Sequence, residues 1–288
     1  MALLGLIILL SVLVIAVSIL YTKQKMRYSI YSQKKHSDVA SKKSSDKIDL
    51  RKDHTKKGIP LKKSVSKQAY RVAIIIDDLG YNNHKADELL KIDAKLTFSV
   101  FPLSPHSKSI AEKANAMGKE VMLHLPMEPY KYPEKNPGNG TLLLSMSDEE
   151  LEEILVRDIQ SVPFIKGINN HMGSRFTEDH RKMMIVLKKL EKKGLFFLDS
   201  LTTSDSVGYK LAKEIGLDTA ARDIFLDNEK DFEYISAQVD KLIKISKRRG
   251  YAIGIGHPYP STIDALKRLI PGLEAKGIEV VPISHLVN

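Results

Sequence analysis

From residue 70 to the end of the chain, short apolar runs alternate with longer segments of helical spacing, and this alternation restricts the fold more than any other feature. Apolar runs at 72–76, 96–101, 120–124, 165–169, 195–199, 219–222, 251–255 and 278–282 have the length and bulk of buried strands. The segments between them, 84–91, 106–117, 147–160, 178–193, 206–215, 230–248 and 261–275, carry helical spacing or helix-start signals. Ser147, followed three residues later by Glu150 and ahead of Leu151, Ile154 and Leu155, has the form of a capping box. Gly194 follows a lysine-rich helix end, as a C′ residue does. Strand–helix repetition of this length implies a parallel sheet, closed as a barrel or open with helices on both faces. No Gly-x-Gly-x-x-Gly follows the first strand, which counts against a dinucleotide-binding sheet. The expected fold class is therefore α/β, a distorted (β/α) barrel of seven or eight parallel strands over residues 70–288.

The barrel leaves the first quarter of the chain unexplained. Residues 2–20 are 19 successive residues without a charge, close to the ~20 that cross a bilayer as a helix. No small-residue cleavage site clearly follows, so residues 1–20 are expected to be an uncleaved transmembrane anchor. Residues 21–69 hold 15 Lys or Arg against 4 Asp, with almost no large apolar clusters; they read as a basic, disordered linker. The net charge of +10 resides there, because residues 70–288 carry 30 basic and 31 acidic side chains. A folded part that is electrically neutral gives no case for nucleic acid as a partner. The tether is expected to lie near anionic lipid or wall polymer, or to stay solvated. Its lysines follow the span, and the positive-inside rule alone would put the domain in the cytoplasm. The chain has no cysteine, so any metal must be held by His, Asp, Glu or water.

In parallel α/β sheets function collects at the carboxyl ends of the strands. There the sequence places Asp77-Asp78, His124, Asn170-His171, Asp199-Ser200, Arg222-Asp223 and His257. Three imidazoles and several carboxylates at the same ends of different strands are difficult to explain by packing. One Asp with two neutral His suits a divalent ion such as Zn²⁺ and leaves positions open for water and substrate. It also explains why two carboxylates stand side by side after five apolar residues. Neighbours leaving a strand point in different directions, so one can ligate the cation while the other stays free beside it as a general base.

Ile-Ile-Ile-Asp-Asp-Leu-Gly, Leu-His-Leu-Pro-Met-Glu-Pro, Asn-Asn-His-Met-Gly-Ser, Phe-Leu-Asp-Ser, Ala-Arg-Asp-Ile-Phe-Leu-Asp and Gly-His-Pro, in that order, resemble the divergent polysaccharide deacetylases over about residues 70–285. The resemblance implies a distorted (β/α) barrel that removes N- or O-acetyl groups from sugars with a divalent metal. It implies Asp77 as base, Asp78 as metal ligand and His257 as general acid. The wider family completes its ligand set with His-x-x-x-His, and this chain departs from that pattern: four residues after His124 stands Glu128. The second imidazole is therefore expected from His171 at the next strand end. Arg222, counted with the catalytic residues, and Asp223 are candidates to orient the base; Asn170, Asp199 and Asp223 are the substrate-binding candidates. The Pro-, Gly- and Asn-rich residues 126–146, with Tyr130 and Tyr132, form a long loop that either lines a glycan cleft or is a surface insertion.

The implied partner is an envelope polysaccharide or peptidoglycan-type glycan, and a substrate of that kind argues for a domain outside the cytoplasm, against the lysine-rich flank. Two rivals stand beside the deacetylase: a membrane-tethered glycan-binding scaffold without turnover, and a metal-dependent hydrolase of another bond, such as a phosphoester.

Overall fold

Strands with only a few buried positions each must be numerous and covered by helices, and the computed structural model, which describes residues 70–288, has this arrangement. The elements run β1 (Tyr70–Leu79), α1 (Asn83–Leu90), β2 (Thr97–Val100), α2 (Ser107–Ala116), β3 (Glu120–Met127), α3 (Asp148–Ser161), β4 (Ile165–Met172) and α4 (His180–Lys193). They continue with β5 (Phe196–Asp199), α5 (Gly208–Glu214), β6 (Thr219–Ala221), β7 (Ile224–Phe225), α6 (Phe232–Arg249), β8 (Tyr251–Gly256), α7 (Pro260–Leu269) and β9 (Ile278–Val280). The expected membrane anchor and basic linker lie outside the described residues. Among the described residues, no helix is long and apolar enough to cross a membrane.

Local chemistry accounts for the helix ends. Ser147 and Glu150 form the full capping box of α3, and Gly194 ends α4 in the left-handed conformation, φ 65°. The helix expected over 261–275 stops at Leu269 and continues as two 3₁₀ turns, 270–272 and 274–276. Pro271 lacks the N–H that another α turn requires.

All strand pairs are parallel, in the order β6-β5-β4-β3-β2-β1-β8-β7, with β9 pairing the first residues of β1. The sheet curls into a half-barrel of eight strands with β9 at its side. Its ends, β6 and β7, are consecutive in the chain and separated only by Arg222 and Asp223. The Arg222 N–H donates to Asp199 O of β5, and the Asp223 N–H donates to Ile253 O of β8. One short crossing of the chain thus joins the two edges where a closed barrel would have a hydrogen-bonded ladder. The two-residue strand β7 escaped the sequence reading because it is too short to show a period.

Strand side chains alternate between faces, and the core divides accordingly. Val72, Ile74 and Ile76 of β1 belong to the large apolar cluster that includes the helices. Ala73 and Ile75 belong to a second cluster with Met122, Phe196, Leu198, Ala220, Ile253 and Ile255, closed by Val281, Ile283 and Leu286. This second cluster is the concave interior of the curled sheet. Continuing the same parity toward the strand ends brings Asp77, His124 and His257 onto the interior side.

Candidate active site

The Asp77-Asp78 pair is separated by backbone geometry. Asp78 has φ 58°, in the left-handed region, which Asp tolerates better than most side chains. Asp77 stays in strand register, 2% exposed, while Asp78 turns toward the mouth with its side chain 30% exposed. Met172 and Leu201, just past the ends of the interior positions of β4 and β5, are also left-handed, at φ 50° and 46°. Such residues cost of order 1 kcal/mol each and persist only when their surroundings impose them.

Around Asp78 three ligand atoms converge. Its Oδ1 lies 3.1 Å from His124 Nε2 and 3.2 Å from His171 Nδ1, and those two nitrogens are 3.0 Å apart. Among the described residues this is the cluster of His and carboxylate groups suited to a metal. A tetrahedral ion with bonds near 2.0–2.1 Å has ligands about 3.3 Å from one another, so the triangle has the required size. Its donor set of one carboxylate and two imidazoles, with a side left free, fits a divalent cation such as Zn²⁺. Phe101 packs on both imidazoles, with ring centroids 5.0 Å from His124 and 4.7 Å from His171, and forms an apolar wall.

The charges agree with this fit. Burial pushes the Asp78 carboxyl upward, but hydrogen bonds from His124 and His171 prevail and hold it well below the usual carboxylate range. Burial also opposes charge on His124, yet the nearby Asp77 and the hydrogen bond with Asp78 raise its pKa. His171 is lowered, chiefly by burial and also by His124 beside it. His124 Nε2, His171 Nδ1 and Asp78 Oδ1 thus surround the position a cation would take.

Behind the triangle stands Asn169, which the sequence reading passed over in favour of its neighbour. Its Nδ2 donates to both oxygens of Asp77, at 2.9 and 3.1 Å, and its Oδ1 lies 2.9 Å from His124 Nδ1. Asn169 is fully buried. Strand parity was the available signal, because Asn169 and His171 are two apart and share the interior face.

Opposite Asp77 and Asp78 lies His257. Its Nδ1 is 2.8 Å from Asp227 Oδ1, and its backbone N–H donates to Asp227 Oδ2 at 2.6 Å. Thr262 Oγ1 donates to Asp227 Oδ2 at 2.7 Å. Burial alone would lower the His257 pKa, but the hydrogen bond and charge of Asp227, with Asp77 and Asp78 beyond it, push it up to about 9. His257 is thus an imidazolium at neutral pH, with Nε2–H as its free donor. Asp227 ends the Ala-Arg-Asp-Ile-Phe-Leu-Asp motif, but its role is set by a contact 30 residues away.

The remaining candidates sit elsewhere. Asn170 has the opposite parity; its carboxamide accepts from Ser200 N at 2.9 Å and donates to Met172 O at 2.8 Å, so it holds the left-handed turn after β4. Asp199 is also on the outer side, fully buried, accepting from Leu201 N, Ser206 Oγ and Tyr209 N. Asp223 is displaced along the sheet, because Ile224 pairs with Gly254 two residues before the end of β8. Its carboxylate binds Arg249 and Ile253 N. Arg222 donates to Ser200 O at 2.7 Å and Leu201 O at 3.0 Å and lies 3.7 Å over the Phe225 ring. It braces the turn after β5, and the hydrogen-bond partner that orients Asp77 is Asn169.

Glu128, standing where the wider pattern has a histidine, is 5% exposed and serves the loop. It binds Arg175 Nη1 at 2.7 Å and Leu144 N at 2.7 Å, tying the 128–147 segment to the turn after β4. Tyr130 and Tyr81 are more than half exposed; the Tyr130 phenol donates to Glu178, and Gly138 approaches Tyr81 Oη. The loop therefore reaches across to the β1–α1 turn.

The sequence pattern of the divergent polysaccharide deacetylases matches residues 74–287. The uncharacterized protein YibQ of Escherichia coli K12 is 38% identical over 222 residues, covering 76% of this chain and 68% of that protein. An uncharacterized protein of Haemophilus influenzae is 32% identical over 216 residues, 75% of this chain and 76% of that one. The crystal structure of the uncharacterized protein ATU2773 from Agrobacterium tumefaciens C58 superposes with a TM-score of 0.74 at 28% identity, covering 76% of this chain and 89% of the other. With the motifs, the curled parallel sheet and these relatives in agreement, the chain belongs to the divergent polysaccharide deacetylase family.

Proposed function

We propose that the protein is a metal-dependent hydrolase that removes acetyl groups from a cell-envelope glycan. The observation that carries this reading is the convergence of Asp78, His124 and His171 on one point, between a separately held carboxylate, Asp77, and an imidazolium, His257. A divalent cation held by Asp78, His124 and His171 would supply Lewis acidity and lower the pKa of water toward ~7. Asp77, held toward the site by Asn169, takes a proton from the attacking water. The oxygen adds to the acetyl carbonyl, the bond from the carbonyl carbon to the sugar nitrogen or oxygen breaks, and acetate leaves. His257 gives the Nε2 proton to the departing amine or alcohol, and Asp227 holds the ring in the orientation for that transfer. The two carboxylates are thereby driven to different tasks by their surroundings.

The charge-free residues 2–20 would anchor the chain in the membrane and present the domain to glycan outside the cytoplasm. A reporter fused after Asn288 that works only in the cytoplasm would overturn that placement.

Acetate released from acetylated envelope glycans is the decisive assay for activity. It should require Zn²⁺ or another divalent ion and disappear in Asp77→Asn and Asp78→Asn. Metal-loaded protein that binds glycan but frees no acetate across N- and O-acetylated substrates would replace the enzyme with a binding scaffold.

A further inference from the structure

We infer that Asn169 is a positioning residue that couples the base to the metal site: the Asp77 carboxylate sets the direction of the Asn169 amide, and the amide sets which nitrogen of His124 faces the metal. The inference rests on the hydrolase reading only in naming Asp77 the base and Asp78, His124 and His171 the metal ligands.

A primary amide has two N–H donors and two acceptor positions on oxygen. At Asn169 all four are engaged in a fully buried site. The Nδ2 group donates to the Asp77 carboxylate, at 2.9 and 3.1 Å, and to Ser200 Oγ at 3.2 Å. The Oδ1 atom accepts from Ser99 Oγ at 2.6 Å and stands 2.9 Å from His124 Nδ1. Ser99 and Ser200 do not select between the two amide orientations, because a hydroxyl donates or accepts as required. The Asp77 carboxylate does select. An ionised carboxylate only accepts, so Nδ2 must face it, and rotating the amide by half a turn would put oxygen against oxygen.

With Nδ2 committed to Asp77, Oδ1 faces His124, and Nδ1 of that ring must carry the proton. Nε2 is then the nitrogen that faces Asp78 and His171, 3.1 and 3.0 Å away, and it is the one that offers its lone pair when a cation replaces the proton there. Histidine ligands need this kind of support, because the partner of the far nitrogen fixes tautomer and ring orientation. Here the partner is an amide whose own direction is imposed by the base. One side chain thus prepares both halves of the chemistry.

The test compares three variants of the full chain by calorimetric titration with Zn²⁺, beside ¹⁵N-histidine NMR of the Zn²⁺-loaded proteins, with the His124 signals assigned through His124→Gln. The parent should show a protected Nδ1–H on His124. Asn169→Leu, which fills the space without hydrogen bonds, should lose that signal and bind Zn²⁺ about 10–100-fold more weakly. Ser99→Ala removes a hydroxyl that does not select the amide direction and should retain both the signal and the affinity, which separates positioning from general damage to the fold. Asp77→Leu should weaken Zn²⁺ binding and diminish the Nδ1–H signal although Asp77 is not a ligand. A folded Asn169→Leu that binds Zn²⁺ like the parent, or an Asp77→Leu with unchanged affinity and signal, overturns the coupling and leaves the hydrolase reading intact. A parent that binds no Zn²⁺ overturns the metal assignment itself, and this result is distinct from the others.

Discussion

Replacing Asp227 with asparagine should convert His257 from a cation to a neutral ring at physiological pH. The imidazole is pushed up to about 9 from its ordinary 6.5, which corresponds to about 3 kcal/mol between its two protonation states. Burial acts in the opposite direction, and Asp227 is the first of the groups that overcome it. Asparagine keeps the shape and an acceptor oxygen but removes the charge, so burial should then govern and bring the pKa below 6.5. Linkage gives a second consequence. A histidine raised in the folded state stabilises fully below pH 6.5, and that contribution is lost as the pH rises through 9. The parent should therefore lose up to about 3 kcal/mol between those limits from this group, and Asp227→Asn should not. The assay is an NMR titration of His257 in metal-free protein, assigned with His257→Gln, beside unfolding followed by circular dichroism at pH 6, 7.5 and 9. A variant whose His257 still titrates near 9 would refute the reasoning, since the charge would then come from elsewhere.

Zinc should bind more weakly as the pH falls below neutral, because the raised pKa of His124 means that a proton must leave before the ion enters; competition titrations at pH 7.5 and 6 should differ about tenfold or more. Asp158 is fully buried with no partner for Oδ2, and burial pushes its pKa up to about 7 against the pull of Arg157. Its folded form favours the proton, so Asp158→Asn should gain on the parent as the pH rises from 4 to 7, by up to about 4 kcal/mol, and a pH-independent difference in unfolding free energy would contradict this. Gly140→Ala would drive a Cβ into the Asp158 carboxylate at φ +78° and should lower stability by about 1–3 kcal/mol; adding Asp158→Ala should restore part of that loss, and strict additivity would argue against the clash.

Much of the fold was legible in the chain because each layer of it has its own sequence period. Buried parallel strands appear as short continuous apolar runs, and the amphipathic helices between them show 3.6-residue spacing and local caps such as Ser147 with Glu150. The strand-end location of His124, His171, Asp77 and Asp78 followed from topology alone, and the absence of a second histidine at position 128 directed attention to His171. Short elements were not legible. The two residues of β7 carry no period, and the crossing at Arg222 and Asp223 is defined by partners on β5 and β8 that are far apart in sequence.

The sequence by itself determined which side chains collect at the carboxyl ends of the strands, because strand–helix alternation admits few topologies and all of them aim the same ends at one mouth. Only the tertiary structure decided what each of those side chains does there. Parity put Asn169 inside and turned Asn170 and Asp199 away; a left-handed Asp78 parted two adjacent carboxylates; and the register of β7 carried Asp223 below the mouth. The physical reason is that a one-residue shift along a strand reverses the face a side chain occupies. Faces are fixed by the packing of the whole sheet, while the motif specifies only the order of residues.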